Sequence, residues 1–409
     1  LDLEKESVMR IVFVDMAMVD TSPAGSQMLA LARALCEQHK VTVFTNKLAS
    51  DLVGRVEWVY VPIVLRRPIL VAFLAFRFMV TLLYLWRGLK GERYDIVHIT
   101  DNTCGFGDVC TVHGSLPLRA HTSFRSFGIR WLIESFKANI YRPLLSKIGL
   151  FFLNRQMHNP KICAFVAISH SQWESFRKFH RGLRNADVIY NYVNIERFRP
   201  SFEKRLAVRK ELSIPEDTVV CMTAALGNWE SKGLPIAIEA IARLPSTVHL
   251  IVVGPLTSAY EQQAKNLGVS GRVHFVGFTS EIERYYSAAD IFVLPSRNEA
   301  LPLVVIQALA TGLPVILSDF ASAKEVCVDG ETGFIVKRDV DAIVEKMRLL
   351  SKDSELRKRM GKNAMRFAKD TFSLDTMVGK YLKVYERVVE AKRKRAGKGE
   401  KKWTPQRSC

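Results

Sequence analysis

Four residues of this chain have the type and placement to act on a charged or polar small molecule: Lys232, Glu299, Gln307 and His113. Residues 295–314 read PSRNEALPLVVIQALATGLP. The run 291–294 reads as a strand that ends in a polar turn. A helix is expected to begin near Pro302, because proline suits the first helical position, where its missing N–H would be unpaired anyway. The free amides and positive end of that helix make a ready anion site. Glu299 stands just before it and Gln307 lies eight residues later. A diphosphate at the helix start would set the groups on its two ends near these two side chains. Taken alone, the pair is equally well a solvated turn residue and a surface helix residue.

Lys232, in Ser231-Lys232-Gly233, falls after a strand and before a helix. That position separates it from the ordinary surface Lys-Gly turn. His113 follows the strand 109–112, and a histidine at a strand's carboxyl end can move protons or contact a ligand. His98, inside a strand, reads instead as a packed core residue. The segment Pro23-Ala24-Gly25-Ser26 follows the first strand and opens a helix. It is either a small-residue phosphate or acceptor loop or a plain helix start capped by Ser22 or Ser26.

The elements that must position these residues follow from apolar runs spaced by helical patterns. Strands are expected at 10–15, 41–45, 56–61, 96–100, 109–112, 163–167 and 188–190. After the polar stretch 194–217, with Pro200 and Pro215, the alternation restarts at 219–224, 249–253, 273–276, 291–294, 314–317 and 334–336. Near-continuous Val/Ile runs separated by helices indicate parallel sheets covered on both faces. The fold class is therefore α/β: two facing, doubly wound, Rossmann-like domains with a cleft at the carboxyl ends of their strands. The expected organisation is a domain over 9–196, a second over 197–372, a helix over 373–391 crossing back to the first, and a basic, disordered tail over 392–409.

Composition agrees with packed domains, at 48% hydrophobic and 24% charged residues. The net charge of +18 calls for a polyanionic partner. Residues 119–161 hold eight Lys/Arg against one acid, Glu134, interleaved with aromatic and aliphatic side chains. This suits an amphipathic surface on anionic lipid. The tail lacks interleaved aromatics apart from Trp403, so nucleic acid is not expected as a partner. The seven cysteines form no C-x-x-C pair, which argues against zinc and for reduced thiols. The acidic, polar start before Met9 does not read as a leader. Residues 69–86 are almost wholly apolar. The favoured reading is a buried crossover helix, with membrane contact along one face as the alternative. A full span is disfavoured because 94–100 continues as a core strand.

With these residues in view, the chain resembles the family 4 retaining glycosyltransferases of GT-B fold. Glu299 followed by Gln307-Ala308 and Thr311-Gly312-Leu313-Pro314-Val315 resembles the family's E-x7-E motif, with Gln replacing the second acid. Ser231-Lys232-Gly233 resembles its phosphate-binding lysine loop. The Arg usual five residues earlier is missing, since the region reads Leu226-Gly227-Asn228-Trp229. Further matches are Val276-Gly277-Phe278, Tyr285 and Tyr286, the run from Ile189 to Asn194, and Glu325 with Asp329-Gly330, where Glu325 reads as structural.

The resemblance implies an acceptor-binding first domain and a nucleotide-sugar-binding second one. Glu299 would contact donor-sugar hydroxyls, and amides around Ala300, Leu301, Pro302 and Leu303 would contact phosphate and sugar. Gln307 would take the ribose, Lys232 the diphosphate beside Gly227 and Asn228, His113 the donor sugar near the reacting carbon, and Ala24, Gly25 and Ser26 the diphosphate and acceptor. A leaving diphosphate must be stabilised by fixed positive groups. The one Asp-x-Asp, Asp339-Val340-Asp341, falls where the helix 341–351 is expected to begin, and no metal or other cofactor is expected. The implied function is retaining transfer of a hexose-type sugar from a nucleotide diphosphate donor to a saccharide or lipid-linked acceptor, in the cytoplasm or peripherally on the inner membrane face. The rivals are a silent nucleotide-sugar-binding protein and a sugar-nucleotide epimerase of the same fold.

Overall fold

A computed structural model of the chain describes residues 8–22, 24–63, 69–101, 103–113, 142–179, 186–255 and 258–397. The chain divides into two compact units. The first comprises Leu1–Ala167, Ser175–Ile189 and Val378–Cys409, and the second Ile168–Glu174 and Tyr190–Met377. The expected joint at 197 therefore falls earlier, at Tyr190, and a short excursion at 168–174 belongs to the second unit.

Among the described residues of the first unit, a main sheet of seven parallel strands alternates with helices. They are β1 (Arg10–Val14), β2 (Lys40–Thr45), β3 (Glu57–Tyr60), β4 (Ile96–Thr100), β5 (Val109–Val112), β6 (Ala164–Ala167) and β7 (Asp187–Val188), in the order β3-β2-β1-β4-β5-β6-β7. Helices α1 (Gly25–Leu35), α2 (Ile69–Leu89), α3 (Arg142–Met157) and α4 (His170–Phe179) lie between strands in the chain. Ile11, Val12, Phe13 and Val14 are all buried, as a strand covered on both faces requires. The order reverses between β1 and β4, and the carboxyl ends of those strands carry Asp15 and Asp101.

Helix α2 corrects an expectation. The segment is helical, but its buried face is the narrow stripe Ala72, Phe76 and Val80, while large apolar side chains on the other face are exposed. The helix is apolar all round, and its packing covers only one stripe of it.

The second unit has six parallel strands: β8 (Val219–Ala224), β9 (Val248–Val253), β10 (Val273–Gly277), β11 (Ile291–Leu294), β12 (Val315–Ser318) and β13 (Gly333–Val336). Their order is β10-β9-β8-β11-β12-β13. Its helices are α5 (Phe202–Glu211), α6 (Trp229–Lys232), α7 (Leu234–Ala242), α8 (Ser258–Asn266), α9 (Ile282–Ala288), α10 (Leu303–Ala310), α11 (Ala323–Val326), α12 (Val340–Lys352) and α13 (Ser354–Phe372). The order reverses between β8 and β11, so the loops leaving these two strands flank a switch point, where open α/β sheets bind ligands.

The last helix, α14 (Leu374–Gly397), starts in the second unit and joins the first from Val378 onward. Within the first unit Tyr385 and Thr111 hydrogen-bond the two ring nitrogens of the fully buried His98 at 2.6 and 2.7 Å. Lys392 reaches the Asp95 carbonyl and the Asp108 carboxylate at 2.7 and 3.0 Å. These contacts carry the helix past Ala391 into what reads from sequence as tail. Residues 398–409 lie outside the described residues.

Candidate functional site

The Lys232 and Glu299 loops leave the two strands at the second unit's switch point. After β8, Gly227 and Asn228 take positive φ values of 119° and 55°, conformations open to glycine and tolerated by asparagine. The chain then makes the single turn α6, pinned by the Trp229 indole N–H donating to the Pro255 carbonyl at 2.7 Å. Gly233 ends α6 at φ 80°, and a Cβ there would sit 2.1 Å from the Pro295 carbonyl oxygen. Glycine is thus what lets the lysine loop lie against the turn after β11.

That contact is stitched by hydrogen bonds. The Arg297 amide and the Ser296 hydroxyl donate to the Ser231 carbonyl at 2.7 and 3.3 Å. The Arg338 guanidinium donates to the carbonyls of Pro295 and Glu230 at 2.9 and 3.1 Å. As a result, the Lys232 ammonium donates to both oxygens of Glu299 at 2.6 and 2.8 Å, with the Glu299 side chain 9% exposed.

The carbonyls of the turn are taken up by side-chain donors. Ser318 donates to Ser296, Ser322 to Glu299 at 3.1 Å and Ser169 to Ala300 at 2.7 Å. The helix start corrects the sequence reading, because Pro302 is the N-cap of α10 and Leu303 its first residue. Within the helix, Val305 and Ile306 donate back to Pro302. Among the described residues the amides of Leu303 and Val304 donate to no carbonyl or side chain, as first-turn amides do. Carbonyls are held and amides are left open, which favours an anion in front of α10.

Gln307 is half-buried one turn into α10. The fully buried Tyr286 hydroxyl lies 2.9 Å from the Val304 carbonyl and 3.2 Å from Gln307 Oε1. A phenol has one proton for these two acceptors. The shorter contact takes it, and the Gln307 amide is best satisfied with its NH2 turned to the phenol oxygen. Asn/Gln orientation is assigned from such networks. Glu325 accepts from the amides of His170 and Ser171 at 2.7 and 2.9 Å, so it caps the start of α4.

The first unit holds the other predicted residues. His113 follows β5, with its amide donating to Asp101 Oδ1 at 2.8 Å. Both ring nitrogens are buried without a hydrogen-bond partner among the described residues. Burial pushes its pKa down, opposed by the Asp101 charge. Asp101 itself has φ 46°, an uncommon conformation for a side-chain-bearing residue. Asp15, at the end of β1, accepts from the Thr100 hydroxyl at 2.6 Å and is pushed up to about 6 by burial.

At Ala24, Gly25 and Ser26 the structure shows the capped helix. The Gly25 amide donates to the Ser22 hydroxyl at 3.2 Å and the Ser26 amide to the Ser22 carbonyl at 2.8 Å. A Cβ at Gly25 would sit 1.9 Å from the Ala17 carbonyl oxygen. Packing therefore explains this glycine, and its amides are engaged rather than open to a phosphate. Pro23 lies outside the described residues. Sequence reasoning missed Arg338, Ser169, Ser318, Ser322 and the phenol beside Gln307. The available signal for Arg338 was its place just after the last strand, at the same sheet edge as Lys232 and Glu299.

Two doubly wound Rossmann-like units in one chain define the GT-B class of fold. Residues 24–197 match the family described as Glycosyltransferase Family 4, and residues 204–367 match Glycosyl transferases group 1. The chain belongs to these glycosyltransferases of family 4 type. It is 27% identical over 315 residues to the N,N'-diacetylbacillosaminyl-diphospho-undecaprenol alpha-1,3-N-acetylgalactosaminyltransferase of Campylobacter jejuni, covering 75% of this chain and 81% of that protein. It is 31% identical over 179 residues to the lipopolysaccharide core biosynthesis glycosyltransferase LpsE of Rhizobium meliloti, covering 43% of this chain and 52% of that one. The chain thus spans about half the length of the second relative.

Among solved structures it is similar to WaaG, a glycosyltransferase involved in lipopolysaccharide biosynthesis. The TM-score is 0.69 at 20% identity, over 92% of this chain and 99% of that one. It is also similar to Anabaena HepE in complex with UDP and glucose, with TM-score 0.70 at 18% identity, over 93% and 100% of the chains. At these identities the likeness shows the fold.

Proposed function

We propose that the chain transfers a hexose-type sugar, with retention of configuration and without a metal, from a nucleotide diphosphate carrier to a saccharide or lipid-linked acceptor in cell-surface polysaccharide or glycolipid synthesis. The observation that carries this reading is the Lys232–Glu299 pair beside the open amides of α10. Lys232 and those amides supply fixed positive charge where a leaving diphosphate accumulates negative charge, which is where enzymes gain most. Glu299 takes hydroxyls of the donor sugar, and Gln307 takes the ribose with its carbonyl, the NH2 being turned to Tyr286. Gly227 and Asn228 shape the loop that holds the diphosphate. His113, an imidazole without a partner among the described residues, contacts the donor sugar.

The lipid-linked acceptor is supported by the name of the Campylobacter relative, which acts on a diphospho-undecaprenol carrier. The chain works at the cytoplasmic face of a membrane, with the basic stretch 119–161 and the tail as its contacts to anionic lipid. The part of that stretch before Arg142, and the tail after Gly397, lie outside the described residues.

A thermal-shift screen of UDP, GDP, ADP and their sugars tests donor binding, since a ligand that binds the native state raises the melting point. Transfer of radiolabelled sugar with and without EDTA tests metal independence. Failure of every nucleotide to shift the melting point sinks the reading. The second reading is a silent binder, favoured by the neutral Gln307. Slow hydrolysis of a nucleotide sugar by the purified protein rejects it, and product release without any acceptor identifies an epimerase instead.

A further inference from the structure

We propose that the exposed face of α2 is a membrane-docking surface that inserts apolar side chains among anionic lipids. This rests on the peripheral-membrane part of the functional reading and names a different element for it. On α2, Val71, Leu74, Phe78, Leu82, Leu85 and Leu89 are exposed, Phe78 at 63% and Leu89 at 88%. Their spacings of three and four residues place them on one face of a helix. From first to last they span about 27 Å at 1.5 Å per residue, a continuous stripe rather than the scattered single residues of an ordinary surface. Trp86, also exposed, carries the Lys90 ammonium 3.5 Å above its ring, an aromatic and a cation placed together as at a membrane interface.

The flank of the stripe supplies charge complementarity. Helix α3 packs beside α2 through Phe152, whose ring meets Phe73 at 6.0 Å and lies under the Arg77 guanidinium at 4.6 Å. The next residue, Phe151, is 62% exposed. Lys147 and Arg155 stand on the same exposed face of α3, four residues to either side of it. Neither helix contains an acidic residue. An apolar stripe flanked by the cations of a helix without acids fits a surface with an apolar interior and anionic headgroups. The same cations weigh against a second copy of the chain, because a two-fold contact through this face would bring two positively charged patches together.

The test is flotation of the full chain with vesicles of phosphatidylcholine, with and without phosphatidylglycerol, at low salt and at 0.5 M NaCl. The expected result is that wild type floats with anionic vesicles and a fraction stays bound at high salt. Phe78→Asp combined with Leu82→Asp should lose that fraction at least tenfold, with the nucleotide-induced thermal shift unchanged. Should the double variant fail to fold, depth-dependent quenching by brominated lipid decides, and the quenching should disappear in Trp86→Phe.

The proposal is overturned if wild type never floats, or if the double variant floats like wild type. It is also overturned if sedimentation velocity shows a wild-type dimer that the double variant splits while vesicles remain unbound. Binding that salt abolishes completely leaves the electrostatic contact standing and removes this one. Loss of the nucleotide shift with flotation intact removes the donor assignment and leaves this one.

Discussion

The carboxyl edges of the two sheets are built to opposite rules. In the second unit, the turn after β11 has its carbonyls held by Ser318, Ser322, Ser169 and Arg338, and its one buried carboxylate, Glu299, is met by Lys232. In the first unit, the equivalent edge carries His113 with an imidazole that finds no internal partner among the described residues, and Asp15 with its pKa pushed up to about 6. A satisfied network fixes charge in place before anything binds, which is what stabilising a developing diphosphate asks for. A buried polar group without a partner costs stability by itself and makes sense if something outside the chain completes it. Among the described residues, one edge is satisfied internally and the other leaves the His113 imidazole unpaired.

The strongest way to break this contrast is Lys232→Ala. It removes the fixed cation and strands Glu299, and it should raise the barrier to transfer by about 2–4 kcal/mol. Unchanged turnover in a radiolabelled-donor assay would reject the role. Next, acid should weaken both units. Burial holds His98 down to about 3 in the first unit and His274 to about 4 in the second. Unfolded histidines bind protons from about 6.5, so the stability present above that pH is lost as pH falls toward those folded values. Thermal melts from pH 7 to 4 should show a steady decline that flattens in His98→Gln, and a flat wild-type profile would contradict it.

Arg338→Ala should cost about 2 kcal/mol of stability by chemical denaturation, because two carbonyls lose charged donors. Arg338→Lys should recover part of it. His113→Phe sharpens the contrast from the other side. Stability should hold or rise by about 1 kcal/mol, since an unsatisfied group is removed, while transfer falls. A large destabilisation would mean the imidazole has an internal role. The smallest effect is expected of Gln307→Glu: nucleotide binding roughly fivefold tighter, about 1 kcal/mol from charge assistance. Weaker binding by calorimetry would remove the ribose assignment.

Much of this was legible before any coordinates. The expected strands at 96–100, 109–112, 219–224 and 291–294 match the observed ones residue for residue, because a strand buried on both faces writes itself as an unbroken apolar run. Glu299, Lys232 and His113 were found because each ends or follows such a run. The misreadings were of contacts. For Ala24 to Ser26 the sequence leaves a phosphate loop and a capped helix start level, and Ser22 decides for the cap by taking the amides of Gly25 and Ser26. For the apolar segment 69–86 the sequence favours a buried helix over membrane contact along one face, yet a hydrophobic sequence does not record how much surface is available to cover it.

By itself, then, the sequence determined two doubly wound sheets, their strand positions and the residues at their carboxyl edges, because side-chain periodicity is a local property of the backbone. Tertiary structure decided that Lys232 meets Glu299 across 67 residues of chain, that Arg338 braces loops 43 and 108 residues away, and that one face of α2 stays uncovered. Those outcomes depend on which distant surfaces come together, and no local pattern encodes that.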